Sequence, residues 1–252
     1  MSETDREDRI GQRFGPLAQP ESKGTFVAGR WGLDSVLFVA AAMFLAIDIL
    51  QRLIAVPEGA IVYRVALTIP GFLLVWLLGV MIARIVDKRG MHVIGLGPQG
   101  GVSFLRGVLW YLPLGAMWWL IVQVQALVIY LFNIQVAKPP LEEALLRDGL
   151  TGPTLAVWIL GTCVAAPLGE EMLFRGLLHG WLRRFLSFVP TAILCSVLWS
   201  AMHVAAVKIV PLTVLGLMLA WMRERPSGLW GCIGFHATHN AVTLLFLWMI
   251  GT

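Results

Sequence analysis

Charge is what this sequence has least of. Only 13% of its 252 residues are Asp, Glu, Lys or Arg, and 58% are hydrophobic. An average soluble domain carries about 25% charged and about 45–50% apolar residues. A soluble fold is therefore excluded, and the mean hydropathy of +0.79 agrees. Cysteine is scarce too. Cys163, Cys195 and Cys232 are odd in number and sit in apolar stretches, which argues against a disulfide framework. No internal repeat and no low-complexity region is evident. Residues 1–30 are polar and mixed in charge, and no short apolar core with a small-residue cleavage site follows them. They read as a cytoplasmic tail, with the first apolar run a retained anchor. The net charge is +4, but 5 of the 19 Lys and Arg lie in those 30 residues. That distribution speaks of membrane topology rather than nucleic-acid binding.

What is present is apolar length. A spanning helix needs about 20 mostly apolar residues. Seven segments qualify: about 33–53, 62–84, 104–133, 154–182, 188–206, 209–223 and 227–250. The sixth is short, and the third and fourth are long enough to tilt. The expected fold is all-α, a polytopic transmembrane bundle of seven to eight helices over residues 31–252. With the N-terminus inside, 13 basic residues fall on the cytoplasmic side and 5 outside, with Arg175 left within the membrane. The positive-inside rule then gives N-in and C-out in a cell membrane.

Two stretches read Glu-Glu-x-x-x-Arg. The first, Glu142 to Arg147, follows Pro139-Pro140 in the longest external loop and reads as a short surface helix. Its Glu143 and Arg147 make an ordinary solvated i,i+4 pair. The second, Glu170 to Arg175, follows the apolar run 155–168 and continues into Gly176-Leu177-Leu178. A carboxylate at the bilayer centre costs about 2.5–3.5 kcal/mol on insertion scales. Membrane context therefore separates two identical strings and selects the second.

Helix geometry divides its two glutamates. Glu171 and Arg175 are i,i+4 and can pair. Glu170 is turned about 100° away. A carboxylate left without that arginine suits proton transfer. His203 lies four residues after Trp199. His236 and Asn240 are i,i+4 on a later segment, with His239 rotated partly off their face. At about 1.5 Å per residue, Glu170, His203 and His236 fall roughly 12–23 Å into the membrane and can converge.

The available chemistry is narrow. No intramembrane Ser or Cys has an evident base beside it. A glutamate with two histidines can activate water directly, and Asn240 can donate to an oxyanion. The same Glu170, His203 and His236 could instead hold a divalent metal such as zinc, with water at the open position. The helical His-Glu-x-x-His spacing is absent, so the metal is not required.

At these residues the sequence resembles the CAAX protease and bacteriocin-processing (CPBP, or Abi) family of intramembrane endopeptidases. The family's motifs, Glu-Glu-x-x-x-Arg, Phe-x-x-x-His and His-x-x-x-Asn, run in order on successive helices. Here they are Glu170-Glu171-Met-Leu-Phe-Arg175, Trp199-Ser-Ala-Met-His203 and His236-Ala-Thr-His-Asn240, with Trp199 in place of phenylalanine. The resemblance covers about residues 150–250. It implies a helical intramembrane fold that hydrolyses a peptide bond of a membrane-associated protein or peptide. It implies that Glu170 and the histidines activate water, that Asn240 stabilises the oxyanion, and that Glu171 and Arg175 support them. Members are described both as metallo- and as glutamate-type peptidases.

Two other classes compete. A proton-coupled transporter would use intramembrane Glu, Arg and His as a relay. It would be expected to show a repeat with matching broken helices, which the sequence lacks. A catalytically silent immunity or scaffold protein on the same fold would be expected to lack a motif residue, and none is missing.

Overall fold

Glycine, proline and charge punctuate the apolar runs, and helices form between them. The computed structural model describes residues 28–54, 60–88, 90–136, 152–203 and 205–251. Among these, α1 spans Leu33–Leu53, α2 Ile61–Asp87, α3 Gly100–Leu131 and α4 Gly152–Leu182. They are followed by α5 at Phe188–Ala201, α6 at Ile209–Arg223 and α7 at Gly228–Gly251. Six helices are long and apolar enough to cross a membrane, and α5 is shorter. The expected all-α polytopic bundle is what forms. The surface helix expected around Glu142–Arg147 and the tail 1–27 lie outside the described residues.

Much of the outward face is bare hydrocarbon. On α3, Leu105, Leu109, Leu112, Leu120 and Leu127 are all more than half exposed. A soluble protein does not leave such a contiguous surface uncovered; a lipid-facing one does. Association between such helices gains little from the hydrophobic effect, because lipid tails are as apolar as leucine. Close backbone approach takes its place. A Cβ on Gly107 would collide with the carbonyl of Gly231, and one on Gly234 with the carbonyl of Phe104. These contacts seat α7, which carries His236 and Asn240, against α3.

Helix α4 is not uniform. Residues Ile159–Ala165 and Met172–Leu178 are wound as π-helix, and Ala166–Glu171 between them is α. Both glutamates therefore sit between two widened turns. A π turn shifts the backbone ladder and strands a carbonyl, so it persists where something else uses that group. At the first, the Ala166 N–H reaches back five residues to Gly161 O. The next residue is Pro167, which has no N–H to give to Thr162 O. Asn240 Nδ2 donates to that carbonyl instead, at 2.7 Å. At the second, His179 N–H bonds Phe174 O five residues back. The carbonyl next in line, Arg175 O, accepts from Arg223 Nε at 2.9 Å.

One boundary differs from expectation. The fifth segment was expected to run to residue 206 as a continuous span, but α5 stops at Ala201 and His203 lies in the turn beyond it. The His203 N–H turns back to Ser200 O, and the imidazole Nδ1 takes Trp199 O at 2.9 Å. The histidine thus ends the helix by occupying a carbonyl that a further turn would have used.

Candidate active site

Trp199 is the common neighbour of the motif residues. Its side chain is 1% exposed. Its indole N–H donates to Glu170 Oε2 at 2.6 Å. Its ring meets His203 edge-on at 4.9 Å between centroids and His236 at 5.4 Å. The Arg175 guanidinium carbon lies 4.8 Å from the same ring centre. Residues from α4, α5 and α7, and from the turn after α5, therefore converge on one aromatic side chain.

Beside it lies a buried charge relay of three residues. Arg175 Nη1 donates to Glu171 Oε1 at 3.1 Å, as their i,i+4 spacing predicts. His236 Nδ1 bonds the same oxygen at 2.8 Å from another helix. Glu171 and Arg175 are both 0% exposed, and His236 is 3%. Arg175 also donates Nη2 to Gly216 O on α6, at 3.2 Å. A carboxylate so enclosed must be compensated, because an unpaired buried charge is strongly destabilising. Here one oxygen receives both an arginine and an imidazole.

These bonds set the tautomers. A backbone carbonyl only accepts, so His203 Nδ1 carries the hydrogen it gives to Trp199 O. Glu171, held against Arg175, accepts from His236 Nδ1 in the same way. In both rings Nε2 is left with its lone pair, free to take a proton. Glu170 is half-buried and His203 exposed, whereas Glu171, Arg175 and His236 are closed off. The accessible pair is thus backed by an inaccessible trio.

Asn240 is half-buried and has one amide N–H committed to Thr162 O; its side chain has a second. His239 points elsewhere, edge-on to Trp118 at 4.4 Å and Tyr111 at 5.9 Å on α3. As to a metal, the remaining Nε2 atoms and a carboxylate are suitable donors in kind. In this arrangement they do not gather: among the described residues no three His, Cys, Asp or Glu side chains form a group that could hold an ion.

Two features were not expected. Arg223 reads in the sequence as a basic residue at a membrane boundary, yet it is 4% exposed. Its Nη2 donates to Val93 O at 3.0 Å, and its Nε bond to Arg175 O fixes the catalytic helix from outside. Near it, Glu224 Oε1 accepts from Arg183 Nε at 2.6 Å and contacts His179 Nε2 at 3.0 Å. Burial raises the affinity of Glu224 for a proton, but the bonds from His179 and Arg183 outweigh it and hold the carboxyl below its usual range. The signal in sequence was slight: Arg223 and Glu224 end an apolar run of ordinary appearance.

Fold and site together define a polytopic membrane protein with an ionisable cluster enclosed between its C-terminal helices. Residues 152–242 match the model of the Rce1-like family, described as type II CAAX prenyl endopeptidase Rce1-like. That region runs from the start of α4 into α7 and contains all three motifs, so over it the chain carries the CAAX protease family's sequence. At family level this is a CAAX-type intramembrane protease. No curated protein and no solved structure gives a significant match.

Proposed function

We propose that this protein is an intramembrane endopeptidase that hydrolyses a peptide bond of a membrane-associated protein or peptide by water activated at Glu170. The observation that carries this reading is the convergence on Trp199, where a half-buried carboxylate and two imidazoles from separate elements share one neighbour. Glu170 takes a proton from water as the water oxygen attacks the scissile carbonyl carbon. The carbonyl π electrons move to its oxygen, and the second N–H of Asn240 and a histidine steady that charge. Collapse of the intermediate breaks the C–N bond. The proton held by Glu170 or by a histidine Nε2 passes to the leaving amine. Glu171 and Arg175 act through His236, whose ring they orient. The chain sits in a cell membrane with its N-terminus in the cytoplasm in this reading, as the basic-residue bias supports.

The test is cleavage of membrane-anchored peptides by the purified full chain, comparing wild type with Glu170→Ala and His236→Ala. Loss of a general base lowers turnover by about 10²–10⁴-fold. Unchanged cleavage in both variants would overturn the assignment. A parallel arm adds a zinc chelator. Free water at Glu170 predicts retained activity; loss that added zinc restores would place the water on a metal.

A further inference from the structure

A second site lies at the arginine-rich end of the bundle. A groove of about 560 Å³ is lined by Arg106 and Trp110 of α3, Trp221 of α6, and Arg225, Pro226 and Ser227 in the turn before α7. The Arg225 guanidinium lies 4.4 Å from the Trp221 ring centre, and Trp110 meets Trp221 edge-on at 5.3 Å. Among the described residues, neither Arg106 nor Arg225 has a carboxylate partner. Glu224, the nearest acid in sequence to Arg225, is committed to His179 and Arg183. The groove therefore presents two uncompensated guanidinium groups in an aromatic setting.

We propose that this groove binds the phosphate of an anionic phospholipid headgroup. A guanidinium is a planar fork of donors that matches phosphate oxygens. Tryptophan settles at the level of lipid headgroups. The occupant is a lipid because the groove does not end in solvent. A second depression of about 190 Å³ shares Arg106 and Trp110 and adds Leu109. Leu109 is 56% exposed and continues into the bare leucine face of α3. A phosphate held by Arg106 and Arg225 thus has its acyl chain laid along hydrocarbon. Basic pockets between membrane helices recognise anionic headgroups in this manner. Neither arginine touches the motif residues, so the site stands independently of the proteolytic reading.

Native mass spectrometry of the detergent-purified full chain, titrated with phosphatidylglycerol, tests this. Arg106→Gln with Arg225→Gln removes both donors from exposed positions. At about one kcal/mol per basic residue near an anionic surface, the loss is roughly thirtyfold in apparent affinity. Arg84→Gln with Lys88→Gln removes equal charge from exposed positions outside the groove, and it retains the bound lipid. Phosphatidylcholine binds more weakly than phosphatidylglycerol, and inorganic phosphate does not displace the lipid at equal concentration. Equal lipid binding by the groove variant and wild type overturns the proposal, as does equal loss in the charge-matched control. Displacement by inorganic phosphate alone assigns the groove to a free anion instead. If the groove variant keeps its lipid and only raises KM for peptide, the groove is a substrate carboxylate subsite and the proposal falls.

Discussion

The indole N–H of Trp199 donates to the Glu170 carboxylate at 2.6 Å. A phenylalanine, which the motif of the CAAX protease family carries at this place, has no such donor. The ring alone accounts for packing against His203, His236 and Arg175; the nitrogen adds a fixed direction for the base. A hydrogen bond to a charged group contributes about 1.5–3 kcal/mol. Trp199→Phe is therefore expected to lower kcat about tenfold or more while leaving KM and the melting temperature nearly unchanged. Steady-state kinetics on a membrane peptide check this, and a rise in KM alone would contradict it.

The shared oxygen of Glu171 makes a second prediction. Glu171→Gln leaves Arg175 buried without its counter-ion, and breaking such a pair costs about 3–5 kcal/mol. Adding Arg175→Met removes the orphaned charge and is expected to recover much of the melting temperature. Activity stays low in the double variant, because His236 has lost the carboxylate that fixes its ring. A double-mutant cycle read by both thermal unfolding and cleavage separates the two roles.

Not all of this was legible in advance. The Glu171–Arg175 pair follows from spacing on one helix, and the membrane context of that helix follows from its neighbours. The His236–Glu171 bond does not, since it crosses between helices 65 residues apart. Trp199 looks in sequence like an aromatic exchange of little consequence, because its ring is conserved in kind while its N–H matters only once Glu170 is placed opposite. His203 carries the right residue at the right interval, yet it terminates α5 instead of lying within it, since imidazole can cap a carbonyl as well as project from a helix. Arg223 counts as a boundary charge until the backbone carbonyls of Val93 and Arg175 are seen around it.

Pro167 and Asn240 make a compensating pair. Asn240→Ala leaves Thr162 O without its donor, and an unsatisfied buried group costs about 1–3 kcal/mol. Pro167→Ala restores an N–H at the position five residues on. In the Asn240→Ala background it is expected to raise the melting temperature, whereas alone it has little effect. If Pro167→Ala gives no recovery, the carbonyl is satisfied in another way.

Glu224 predicts a pH dependence outside the membrane. Its carboxyl is held below the usual range, so its contribution is present above the unfolded value of about 4.3. It is lost as pH falls through the lower folded value. Thermal unfolding of wild type is expected to fall more steeply on the acid side of that window than that of Glu224→Gln. Parallel curves would remove Glu224 from the account.

The two widened turns of α4 also separate the length of the catalytic helix from its phase. In an α-helix each added residue swings everything after it by about 100°. A π turn absorbs one extra residue locally, so the segment Ala166–Glu171 keeps an aim that the ends of the span do not dictate. Removing a single residue from Ile159–Ala165 would tighten that turn and leave the span intact, yet it would rotate Glu170 away from Trp199. The site is thus addressed by a count of residues as much as by their identity.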